Sequence, residues 1–306
     1  MKKVTGKWVF VFIIALVCIL VISILIMSKA SNKFNASDLG NNKIAVIQIQ
    51  GPITGGTAFR EGLFTEDGSN SATIVGFIES ANKDKGIKGI ILNINSPGGT
   101  VVASKEIVDA IKKVDKPVVA LIREVGASGA YWIASAADVI VADPLSITGS
   151  IGVFGGYLEF SGLISEYDVK YHNLKTGEYK DLGNPFVSLT PEGEKILNQK
   201  LQIIHDYFVE DVNKNRGKDL SKYGNGLFYL GKEAKEIGLV DVLGNKDDAV
   251  KIVKEKAGIK THELIFFKKK TSLLDVLGRL SNDFGYSIGE GIGSEFGIKE
   301  DFKIVA

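Results

Sequence analysis

The 306-residue chain has little of what cofactor chemistry and nucleic-acid binding require. A single cysteine, Cys18, excludes an intrachain disulfide and a cysteine-built metal site. The three histidines, His172, His205 and His262, stand at no ligand spacing, and there is no HExxH pair. Neither a P-loop of the GxxxxGKS/T kind nor a strand-linked GxGxxG occurs, so the two common glycine-rich phosphate cradles are missing. No charge dominates: 37 Lys and Arg face 36 Asp and Glu, a formal net charge of +1, which gives no reason to expect a nucleic acid as partner. There is no tandem repeat and no low-complexity block. Nothing in the sequence asks for a metal or a cofactor.

The N-terminus carries the first positive signal. "MKKVTGK" holds three lysines, and "WVFVFIIALVCILVISILIM", Trp8 to Met27, follows without a charge. A bilayer core takes about 20 apolar residues in a helix. Flanking lysines hold the N-terminus on the cytoplasmic side. The run exceeds a signal-peptide core of roughly 7–15 residues, and no A-x-A site follows it. Residues 8–27 therefore read as an uncleaved, single-pass membrane anchor, with 1–7 cytoplasmic and the rest of the chain outside. Cys18 sits within this run behind Val17, where lipid attachment would want a small residue, and reads as inert. Residues 28–42 are polar and read as a linker, in which Asn35-Ala36-Ser37 fits a glycosylation acceptor pattern.

From Lys43 onward strand and helix patterns alternate. "KIAVIQIQG", "GIKGIILNINSPGG", "KPVVALIREVG" and "VIVADP" read as buried strands. "ATIVGFIESANKDK", "TVVASKEIVDAIKKV" and "ASGAYWIASAAD" read as the helices between them, the second with Val101, Ile107, Ala110, Ile111 and Val114 on its apolar side. This order implies parallel βαβ units. After Asp143 comes a glycine-rich stretch, "SITGSIGVFGG". "YLEFSGLISEYD" is expected as a helix and "VKYHNLKTGEYKDLGNP" as a strand and turn. A long helix is expected from Thr190, with Pro191 at its first position. Two short helices around a turn and one strand, "HELIFF", complete the folded part. Lys268–Lys270 read as a solvated turn.

One stretch stands out chemically. In "VGASGAYWIASAAD" small residues surround Ser128 at a strand-to-helix switch. A nucleophilic serine must be accessible and must lose its proton to a base. Backbone N–H groups must also face the oxyanion that forms. The Gly129 amide follows Ser128 directly, and the glycines of "NSPGG", Asn95 to Gly99, can bring a second amide close. A tight βα turn would explain either segment alone. For the base, His172, His205 and a desolvated lysine all remain open on the residues alone.

"NSPGG", "GASGAYWIASAAD", "DPLSITGSIGV" and "LKTGEYKD" follow the order and spacing of the signal peptide peptidase A (SppA, protease IV) family. The resemblance covers roughly Lys43 to Gly244 and is to the short, single-copy, membrane-anchored form, with "GEYKDLGNPF" resembling the archaeal version. It implies an α/β fold, a crotonase- and Clp-protease-like spiral of βαβ units over residues 43–260, behind the N-terminal transmembrane helix. The role of 261–306 is left open. It also implies a Ser-Lys peptidase. The nucleophile falls on Ser128, the base on Lys180 and the lysine-orienting serine on Ser150. The oxyanion amides fall on Gly129 and Gly98. Asp181, beside Lys180, must then point away, since a carboxylate at the ammonium would keep it charged. "SGAYW" departs from the family's usual "SGGYY", and Trp132 is expected to alter packing or a substrate pocket. Further implied are hydrophobic peptide substrates such as signal-peptide remnants, and a homo-oligomeric ring with active sites near protomer interfaces. The alternatives are a crotonase-fold acyl-CoA lyase or hydratase and a catalytically silent membrane scaffold.

Overall fold

The computed structural model of the chain describes residues 42–56 and 68–268. The apolar run 8–27, the Asn35 pattern and the tail beyond Lys268 lie outside them. Among the described residues no helix is long and apolar enough to cross a membrane.

Six parallel strands form the body of the sheet in the order β10-β1-β4-β5-β6-β9: β1 (Lys43–Gln50), β4 (Ile87–Ser96), β5 (Val118–Ala127), β6 (Val139–Ala142), β9 (Val242–Leu243) and β10 (Glu263–Phe267). β7 (Ile147–Gly149) pairs parallel with the end of β5, and β8 (Phe228–Leu230) pairs antiparallel with β7, so the sheet is mixed. Two short strands, β2 (Ile53–Thr54) and β3 (Ser69–Asn70), form a separate parallel pair.

The strands are apolar at both parities because both faces are covered. On one face Ala45, Ile47, Ile90, Leu92 and Ile122 pack under α1 (Ser71–Lys83), α2 (Val101–Ile111), α3 (Gly129–Ser135) and α5 (Pro191–Arg216). On the other, Ile44, Val46, Ile91 and Leu121 pack under α7 (Lys246–Ala257) through Ala249, Val250 and Val253. Beyond the reach of α7 that face turns polar, where Asn93 Nδ2 donates to Gln48 Oε1 at 2.7 Å. α4 (Ser161–Glu166) and α6 (Gly231–Glu236) complete the helices.

Two expectations change. "VKYHNLK" forms no strand: no described strand pairs with it, and all its residues are exposed. "HELIFF" joins the main sheet beside β1, so the sheet runs past residue 260 to Phe267.

Candidate active site

β5 ends at Ala127, α3 begins at Gly129, and Ser128 makes the turn between them with φ 54° and ψ −126°. Only three described non-glycine residues have positive φ: Ser128, Ser150 (φ 50°) and Asp168 (φ 51°). Such conformations persist where neighbours enforce them, and they concentrate at functional sites. The neighbours here are specific. The Ser128 N–H donates to the Gly149 carbonyl at 2.8 Å, and the Ser150 N–H donates to the Leu227 carbonyl at 2.9 Å. Ala127 and Gly149 are register partners on β5 and β7, so Ser128 and Ser150 leave adjacent strand ends side by side. Both serines are half-buried.

The close of β4 meets them. Gly98 has φ 104°, and a methyl group placed on it would lie 2.8 Å from the Gly129 nitrogen, 2.9 Å from the Ala127 oxygen and 3.0 Å from Ser128 Cβ. A methyl on Gly129 would lie 2.3 Å from Ser104 Oγ and 3.4 Å from the Gly99 nitrogen. Only glycine at both positions allows this approach. The Gly98 N–H is already engaged, donating to Ser96 Oγ at 3.1 Å. The amides of Gly99 and Gly129 have no acceptor among the described residues. Within "SPGG" the resemblance implied the amide of Gly98, and the N–H that stands free is that of Gly99.

Lys180 is exposed, in a turn where its N–H donates to the Gly177 carbonyl at 3.3 Å. Asp181 does turn its carboxylate elsewhere: Lys175 Nζ donates to it at 2.7 Å and Asn173 Nδ2 at 2.5 Å. The Lys175 hydrogen bond holds the Asp181 carboxyl below its ordinary range. Within one copy, among the described residues, no hydrogen bond joins Lys180 to Ser128 or Ser150.

The histidines stand apart from this geometry. His205 Nε2 faces the Gly224 carbonyl at 2.5 Å on α5, and His172 is exposed. Trp132 belongs to the core. It is 2% exposed, stacks on Phe208 with ring centroids 4.7 Å apart, and donates from Nε1 to Asp211 at 2.8 Å. Among the described residues no His, Cys, Asp and Glu side chains group as a metal site. The arrangement offers a half-buried hydroxyl beside two free amides, the parts that acyl transfer needs.

Comparison with known proteins finds peptidases. The model of peptidase family S49 matches residues 110–260, and that of Clp protease matches residues 65–141. A protein of Methanocaldococcus jannaschii whose name describes it as a protease, MJ0651, is 32% identical over 298 residues, covering 96% of this chain and 94% of its own. A protein of Enterococcus faecium whose name describes it as a signal peptide peptidase, SppA, is 32% identical over 259 residues, covering 83% of this chain and 73% of its own. The solved structure of a membrane-bound stomatin-specific protease with a substrate peptide superposes with a TM-score of 0.51 at 17% identity, over 79% of this chain and 98% of that one, a likeness of fold.

Proposed function

The chain belongs to peptidase family S49, and on that premise we propose that it is a membrane-anchored serine endopeptidase that cleaves hydrophobic peptides, signal-peptide remnants among them. Ser128 is the nucleophile, Lys180 the general base and Ser150 the group that orients the lysine. The observation that carries this reading is the strained turn at Ser128 flanked by the unpartnered amides of Gly129 and Gly99.

A neutral Lys180 amine takes the Ser128 proton as Oγ attacks the scissile carbonyl carbon. The carbonyl oxygen becomes an oxyanion between the Gly129 amide and the Gly98–Gly99 turn, whose free N–H is that of Gly99. The tetrahedral adduct then collapses. The C–N bond breaks, the Lys180 ammonium protonates the leaving amine, and an ester remains on Ser128. Water, deprotonated by Lys180, attacks that ester; the C–Oγ bond breaks, the acid product leaves, and the Lys180 ammonium returns a proton to Ser128 Oγ.

Lys180 is exposed in a single copy, and the segment around it leaves Phe154 93%, Leu158 72%, Tyr167 71% and Leu174 94% exposed. A lysine works as a base only when burial lowers its pKa. Apolar surface of this extent marks an interface. A neighbouring copy in a homo-oligomeric ring is the cover that satisfies both. The anchor, Trp8–Met27, tethers the ring with its catalytic domains on the extracytoplasmic side.

Cleavage of a hydrophobic model peptide by the assembled protein tests the reading. Ser128→Ala and Lys180→Ala should each lose essentially all turnover, by about 10³-fold or more, while still assembling. Retained activity in Lys180→Ala would move the base elsewhere. An inert but assembled wild type would end the peptidase reading.

A further inference from the structure

The motif that closes β4 contains a second hydroxyl, Ser96, with no part in the steps above. Ser96 is 0% exposed. Its Oγ donates to the Gly51 carbonyl at 2.6 Å and accepts from the Gly98 N–H at 3.1 Å. A hydroxyl has one proton and two lone pairs, so one group makes both bonds at once. Two residues beyond Gly51, the Ile53 N–H donates to the Gly98 carbonyl at 2.9 Å, and the Ile53 carbonyl accepts from Thr100 N–H at 2.9 Å.

These bonds decide where the Gly99 N–H points. In a trans peptide the C=O and N–H of one unit are antiparallel. Binding of the Gly98 carbonyl by Ile53 therefore turns the Gly99 N–H of the same unit to the opposite side. Gly129 is close by, since a methyl added to it would be 3.4 Å from the Gly99 nitrogen. A peptide unit between two glycines has no side chain to resist its rotation. The Ile53 N–H restrains that unit directly, and Ser96 adds to the restraint from both sides, since it holds the amide of the preceding Pro97–Gly98 unit and the Gly51 carbonyl two residues before Ile53. We propose that Ser96 is a positioning residue of the oxyanion hole, and that its hydroxyl fixes the Gly98–Gly99 turn so that the Gly99 amide, and not that of Gly98, faces the oxyanion beside Gly129. This rests on the peptidase reading.

The test compares two inhibitors of identical sequence, a peptide aldehyde and a peptide amide. Ser128 adds to the aldehyde: the Oγ–C bond forms, the C=O π bond opens, and the oxygen of the adduct occupies the hole. The amide binds without forming that oxygen. In Ser96→Ala the aldehyde should lose about tenfold or more in affinity and kcat should fall in step, while the amide affinity and KM stay within about twofold. Ser96→Thr, which keeps the hydroxyl, should retain the wild-type ratio of the two affinities. Should Ser96→Ala fail to fold, Ser96→Cys, similar in size with a weaker donor and acceptor, is read by the same ratio. Equal losses for aldehyde and amide, or no loss for either, overturn the proposal. A wild type that neither cleaves peptides nor binds the aldehyde sinks the peptidase reading itself, and a normal wild type with an unchanged ratio in the variants sinks only the role of Ser96.

Discussion

At the scale of single residues the site depends on the absence of side chains as much as on their presence. Gly98 has a φ of 104°, where any other residue costs about 1–3 kcal/mol of backbone strain. Its added methyl would also sit 2.8 Å from the Gly129 nitrogen, one of the two amides proposed to form the hole. Gly98→Ala should therefore lower stability by roughly that amount, read from the denaturant midpoint, and reduce kcat by about 10²-fold. A variant that loses stability but keeps kcat would remove the Gly129 amide from the mechanism. Ser128 and Gly129 stood out in the sequence as a hydroxyl and an amide among small residues at a strand end, although a tight βα turn explains that segment as well. The choice between Gly98 and Gly99 was not legible. Two adjacent glycines look alike until the Ser96 hydroxyl and the Ile53 amide distinguish their peptide groups.

At the scale of elements, α5 is the brace behind α3, the helix that follows Ser128. It starts where the Thr190 side chain accepts from Gly193 N–H at 3.1 Å with Pro191 in the first position, and stops at Gly217 in the left-handed conformation. Those signals are local, which is why sequence alone marks its start. Its attachment is not local. Asp211 accepts from Trp132 Nε1 of α3 at 2.8 Å and pairs with Lys112 at the end of α2 at 2.6 Å. Burial pushes the Asp211 carboxyl up, but the hydrogen bonds from Lys112 and Trp132, with the positive charges of Lys112 and Lys105, hold it below the ordinary carboxylate range. The stability this network contributes is fully present above the unfolded carboxyl pKa of about 3.9, and is lost as pH falls through the lower folded value. Wild type should therefore lose stability on acidification below about pH 4 through this group, and Asp211→Asn should lack that component while being less stable at neutral pH by roughly 1–3 kcal/mol. Parallel denaturation curves across pH 2–7 check the sign; equal pH slopes would remove Asp211 from the account. β7 and β8 illustrate what sequence could not supply. Each has three residues, β7 ends in glycine, and the pairing Ile147 to Leu230 joins segments 83 positions apart that share no short-range pattern.

At the scale of the whole molecule, the proposed base stands exposed in a single copy. Residues 152–190 contain no buried side chain, yet they hold Lys180 and several large apolar groups. The expected strand at "VKYHNLK" finds no partner among the described residues, and a strand needs one. Cover from a neighbour in the proposed ring would desolvate Lys180 and bury Phe154 and Leu174 in one step; a ring contact is head-to-tail, and we propose that across it each serine meets the lysine of the next copy. This arrangement makes a prediction that a dyad closed within one copy does not. Ser128→Ala subunits keep an intact lysine, and Lys180→Ala subunits keep an intact serine. Co-assembled from mixed, dissociated subunits, the two inactive variants should regain activity at every junction where an intact serine faces an intact lysine, while either variant assembled alone stays inactive. Adding Leu174→Asp to both should abolish the recovery by preventing assembly, as seen by sedimentation. Mixed assemblies that form fully and remain inactive would place serine and lysine in the same copy, and the neighbour would then serve only to exclude water from the lysine.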